Sequence, residues 1–195
     1  MNQIYGFARQ VLQKYDEEVL EAFRHVFRAL PLAAVIHKKV FVCHGGLGKL
    51  TSNMTMMDMM SLNRFVEPEF SSAVSELLWS DPTEEKEGLL FNTHRGGGWQ
   101  FGKDITSSFL LKNGFELLVR SHEVRQNGFS VEHEGRCITI FSAPNYCDVQ
   151  GNLGAVLIFE RNNEAESELS EDGATPIITS VMQFHAVKHP FQRKS

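Results

Sequence analysis

The sequence has little cysteine: Cys43, Cys137 and Cys147 are its only three, scattered and without a CxxC pair. That excludes a disulfide scaffold and gives no sign of a structural zinc. A reducing compartment, cytoplasm or nucleus, is the expectation. There is no apolar run of ~18 residues to cross a bilayer. The first residues, MNQIYGFARQ, contain no apolar signal segment, so no secretory leader is expected. Basic residues are outnumbered, 19 Lys and Arg against 24 Asp and Glu, for a net charge of −5. Binding to nucleic acid through a basic face is therefore excluded. No GxSxG nucleophile elbow occurs, so HGG at 44–46 is not read as an esterase oxyanion loop. GGLGKL fails as a phosphate-cradling loop, because its first glycine is misplaced and Leu50 stands where Ser or Thr must follow the lysine.

What is present describes a soluble globular domain, with 42% hydrophobic and 22% charged residues. A chain of 195 residues fits one domain. It can bury roughly 70% of the surface of the unfolded chain. From Asp16, a plausible N-cap, Val19, Leu20, Phe23, Val26, Phe27 and Leu30 recur at helical spacing and predict a stripe facing a core. LAAVIHKKVFVCHGG predicts a hairpin turning at His37–Lys39. Short helices are expected over 55–65, 71–78 and 106–112, the last stopped by Asn113-Gly114. Met56, Met59 and Met60 share a face and read as core. Residues 79–102 read as loops. Strands are expected at 115–119, 129–133, 136–141, 154–160 and 177–187, with Glu134-Gly135 turning a second hairpin. The acid-rich stretch RNNEAESELSEDG reads as a solvated loop. The whole predicts one α/β unit, helices first and a sheet-rich end.

Four segments carry reactive side chains where β-type runs or glycines would present them. In FVCHGGL, His44 ends a strand beside glycines that allow a tight turn; it is either a ligand or a satisfied structural histidine. In ELLVRSHEV a second strand ends near His122. Two histidines at strand ends fit a metal lying along one edge of a sheet. In NTHRGGGWQFG, Arg95 rides a glycine loop, either gripping phosphate through paired hydrogen bonds or lying free on the surface. In IFSAPNYCDVQGN, Tyr146 sits in a loop of turn-formers, either facing a substrate or structural.

HGGL, LLWSDP, RG…FG, RSHE and SAPNYC with GN after it, in this order, resemble the catalytic domain of the eukaryotic metal-dependent serine/threonine phosphatases, the phosphoprotein phosphatase family. Longer stretches, MNQIYGF, GRCITIFSAPNYCD and FHAVKHP, are similar to one type within it. The resemblance implies the C-terminal part of a calcineurin-like metallophosphoesterase β-sandwich flanked by helices, with residues 1–195 forming an N-terminally truncated catalytic domain. It implies hydrolysis of phosphoserine and phosphothreonine in proteins by two divalent ions, Mn, Fe or Zn, with a bridging hydroxide. His44 and His122 match ligands of one metal, Arg95 a phosphate-binding arginine and Tyr146 a tyrosine lining the site. Cys147 matches a loop position contacted by inhibitors, while Arg120 and Glu123 match no catalytic role.

The family motifs GDxHG, GDxVDRG and GNHE are absent from the sequence. In the family they carry the other ligands, the general acid and a second arginine. At most one weak metal site and no efficient activity are therefore expected of this chain alone. Exposed core and self-association are expected as well. The partners implied are phosphoprotein substrates and regulatory proteins. The alternatives are a non-catalytic fragment or binding module, and a single-metal hydrolase using His44, His122 and Glu123.

Overall fold

A computed structural model describes residues 2–161 and 177–188. Two helices come first, α1 (Phe7–Lys14) and α2 (Glu17–Ala29). The Asp16 side chain accepts from Val19 N at 3.0 Å, the cap expected from the sequence. The stripe on α2 is only partly covered. Leu20 is buried with Ala8 and Val11 of α1, whereas Phe23, Val26, Phe27 and Leu30 stay exposed.

The hairpin of β1 (Ala33–Ile36) and β2 (Val40–Cys43) turns at His37 and Lys38, both at positive φ. Two short helices follow, α3 (Met56–Met60) and α4 (Ala73–Trp79). The first of these ends well short of the predicted residue 65. Thr55 and Asp58 close a capping box at its start. Met59 is buried and Met56 packs on the core, but Met60 is 75% exposed, so the methionine face is core only in part.

The stretch read as loops holds three short strands, β3 (Asp81–Pro82), β4 (Leu89–Phe91) and β5 (Trp99–Phe101), in one small sheet ordered β3-β5-β4. At two or three residues each, they are too short to show alternation. Helix α5 (Lys103–Asn113) ends on Gly114 at φ 70, as Asn113-Gly114 predicts. Then come β6 (Leu117–Arg120), β7 (Phe129–Glu132), β8 (Cys137–Ile140), β9 (Gly154–Arg161) and β10 (Ile177–Phe184). The turn between β7 and β8 spans His133–Gly135, one residue more than predicted. The acid-rich stretch lies outside the described residues, apart from its first residue, which ends β9.

The main sheet has the order β1-β2-β6-β8-β7, with β2, β6 and β8 parallel and an antiparallel hairpin at each edge. Phe41, Cys43, Leu118 and Cys137 on one face pack against Phe109 and Leu110 of α5. On the other face Val40, Val119 and Ile138 meet Leu157 and Phe159 of β9, which pairs with β10. Sheet on sheet with helices outside is the calcineurin-like sandwich expected, and it leaves the carboxyl ends of β2 and β6 side by side.

Candidate active site

The two histidines reach the same point because their strands are parallel and in register, Val42 opposite Val119. Each strand is followed directly by a loop, and Ser121 N donates to His44 O at 3.0 Å to pin the two loops together. His44 Nε2 and His122 Nδ1 stand 2.9 Å apart with the rings edge to face. Trp79 packs its ring against that of His122, centroids 5.4 Å apart. The other ring nitrogen, His122 Nε2, is buried with no hydrogen-bond partner.

His122 also sits at φ 74, a left-handed conformation that a non-glycine residue adopts only where its surroundings hold it. The glycines after His44 serve differently from the expectation. Gly45 and Gly46 are absent from the positive-φ positions. Instead, a Cβ at Gly45 would come within 2.5 Å of the Leu78 carbonyl carbon. Gly45 allows contact of two backbones and Gly46 makes room for the Phe101 ring, neither being a special turn. The loop after Arg95 does turn tightly, with Gly96 and Gly98 at φ 68 and 73.

Arg95 lays one edge of its guanidinium on Asp81, Nε on Oδ2 and Nη2 on Oδ1, the second at 3.2 Å. Asp81 is buried and also accepts from Asn92 Nδ2 at 2.8 Å and from Arg120 Nη2 at 2.7 Å. Burial pushes the Asp81 carboxyl up. The hydrogen bond from Arg95 and the charges of Arg120 and Arg95 outweigh it and hold the group below the usual carboxylate range.

Both histidines are held towards the neutral form. Desolvation pushes His122 down to about 4, with the Arg95 charge acting in the same direction. Desolvation, then Arg120 and Arg95, lowers His44, although that residue as a whole stays exposed. At neutral pH both rings therefore keep a lone pair.

Two bare lone pairs cannot face each other at 2.9 Å. Either one nitrogen carries a proton, or both face a cation. A 2.9 Å approach is that of an N–H···N hydrogen bond, and it is also within reach of two nitrogens that would each lie ~2.0–2.1 Å from one shared ion. The pair thus fits a shared divalent ion, with Nδ1 of His122 as donor and its proton on the buried Nε2. Among the described residues no third His, Cys, Asp or Glu completes a metal cluster.

The fourth expected segment lies apart in its contacts. Tyr146 is 45% exposed, with its ring edge-on to Phe141. Asn152 fixes its backbone, Oδ1 accepting from Tyr146 N at 2.8 Å. Cys147 is exposed at φ 56. Among the described residues no hydrogen bond or ring contact joins Tyr146 or Cys147 to His44, His122 or Arg95. Sequence reasoning quotes Asp81 only within LLWSDP and names Arg120 without giving it a role. Arg120 shares a sheet face with Leu118, so a charge at a core position of period two was the available signal.

The calcineurin-like phosphoesterase family matches residues 5–126. Serine/threonine-protein phosphatase 5 of Solanum lycopersicum is 44% identical over 97% of this chain and 31% of its own length. The Homo sapiens protein of the same name is 39% identical over 97% of this chain and 35% of its own length. A solved serine/threonine phosphatase from Saccharomyces cerevisiae aligns with TM-score 0.81 at 37% identity, covering 97% of this chain and 58% of that one. The chain spans about a third of the length of these curated relatives. With a family match across more than half its length and this fold, the chain belongs to the calcineurin-like phosphoesterase family.

Proposed function

We propose that this chain carries the histidine side of a metal site and the phosphate-gripping arginine of a protein serine/threonine phosphatase. The substrate class is phosphoserine and phosphothreonine in proteins, with the chain forming the later part of a catalytic domain. The observation that carries the reading is the 2.9 Å approach of His44 Nε2 to His122 Nδ1 beside a fixed guanidinium.

A phosphate monoester dianion repels nucleophiles, and a divalent ion held by the two imidazoles supplies positive charge and acidifies water there. Imidazole suits Mn, Fe or Zn alike. The rest is done by this chain's own side chains. Asp81 takes the Nε/Nη2 edge of Arg95, which leaves the Nη1/Nη2 end to donate to phosphate oxygens as charge develops. Tyr146, whose ring is partly exposed, would offer a phenol to the substrate, and Cys147 a contact point for inhibitors. Two imidazoles hold one ion weakly, and a second ion needs ligands of the kind found in GDxHG, GDxVDRG and GNHE. The three free thiols suit a reducing compartment, cytoplasm or nucleus. Phe23, Val26, Phe27 and Leu30 support self-association, and regulatory proteins are further partners.

The test is hydrolysis of a phosphothreonine peptide with added Mn²⁺. The 195-residue chain is compared with one extended by a segment bearing the three motifs. The extended chain should be active, and Arg95→Ala should lower its rate by about 10²–10³. The short chain should be nearly inert. Full activity in the short chain overturns the account of the missing ligands, and inactivity in the extended chain favours the non-catalytic reading.

A further inference from the structure

We propose that Arg120 is a positioning residue that sets His44, His122 and Arg95 against one another. The inference rests on the reading that these three form one metal-and-phosphate centre.

Arg120 is 1% exposed and heads the fully buried side chains by volume. Burying a guanidinium costs several kcal/mol unless its donors are met. A leucine or methionine would fill the same space on a face that Leu118 already makes apolar. Its bonds show what the charge does. Nε donates to Gly45 O at 2.5 Å, in the residue after His44. Nη2 donates to Ser80 O at 3.0 Å and to Asp81 Oδ1 at 2.7 Å, on the carboxylate that grips Arg95. Nη1 donates to Glu123 Oε2 at 2.7 Å, in the residue after His122. One planar group therefore ties three separate loops, and each tie lies next to a site residue or on its anchor.

The tie to Glu123 also bears on the left-handed backbone at His122, which needs an external hold. Arg125 also holds Glu123, Nη2 on the same Oε2 at 3.1 Å and Nη1 on Oε1 at 3.4 Å, so that carboxylate answers two cations. The carboxylates Asp81 and Glu123 offset the buried charge of Arg120. A lysine keeps the charge but is a point donor on a flexible stem. It cannot hold four acceptors in one plane.

The test uses the full chain without metal, recording the ring-nitrogen NMR signals of His44 and His122 and the Nε–H signal of Arg95. His133 serves as the fold reporter, because its buried ring bonds Thr106 Oγ1 and Thr83 O and, among the described residues, shares no hydrogen-bond partner with Arg120. In Arg120→Lys the signals of His44, His122 and Arg95 should all shift while that of His133 stays. A shift confined to His122, which shares the loop of Arg120, overturns the proposal, as does no shift at all. If Arg120→Lys does not fold, Glu123→Gln replaces it, with the same shift of both His44 and His122 expected and a shift of His122 alone overturning. Adding Co²⁺ to the wild-type chain tests the underlying reading separately. If Co²⁺ leaves both histidines unmoved, the metal reading fails, while the metal-free comparison still decides the role of Arg120.

Discussion

The main sheet and the first two helices are built by the same chain to different standards. Around the sheet, Phe41 is wholly buried between Phe109 and Phe115, with ring centroids at 5.0 and 5.8 Å. Polar groups there are matched as closely. Glu76 is 3% exposed and accepts from Leu50 N, Thr51 N, Thr51 Oγ1 and Trp99 Nε1, which fastens the loop after His44 to α4 and β5. The pair α1–α2 has only Ala8, Val11 and Leu20 fully inside, and its aromatic rings Phe7, Phe23 and Phe27 meet edge-on or tilted near the surface. Stability and chemistry both reside around the sheet. The site hangs from the sheet, and the helices keep apolar surface free for contact.

Mutations should expose that asymmetry. The largest effect is expected at Phe41→Ala, a loss of about 3–5 kcal/mol in denaturant unfolding, as for other fully buried aromatics. Glu76→Ala should cost about 3 kcal/mol, because it leaves buried donors without an acceptor, and it should also shift the fluorescence of Trp99. At the other extreme, Val26→Ser on the exposed face of α2 should change stability by less than about 0.5 kcal/mol. If α2 mediates the proposed self-association, the same substitution should weaken it in light scattering. A large loss of stability at Val26 would show that the helices belong to the same cooperative core, and the contrast would collapse.

The sequence made the sheet-rich end legible because its strands are bounded by turn residues and its hairpins have recognisable turns. It also let His44 and His122 be placed at strand ends, and parallel pairing of β2 with β6 carried them together. What stayed hidden has physical reasons. The small sheet of β3, β4 and β5 depends on tertiary pairing of segments too short to carry a period. The stripe on α2 obeys helical spacing yet is half uncovered, since periodicity reports which side could be buried and not whether anything lies there. Gly45 fits a turn by its sequence context, but what requires glycine there is the backbone of Leu78, far along the chain. Asp81 and Arg120 escaped because their role lies in bonds to other loops, which no local pattern encodes.

The proposed centre rests on two imidazoles from adjacent strand ends that share one ion. Calorimetric titration of the 195-residue chain with Co²⁺, beside His44→Ala and His122→Ala, tests it most directly. The account predicts one weak site in the wild-type chain, abolished by either substitution while the fold is kept. Binding that survives both substitutions would contradict it.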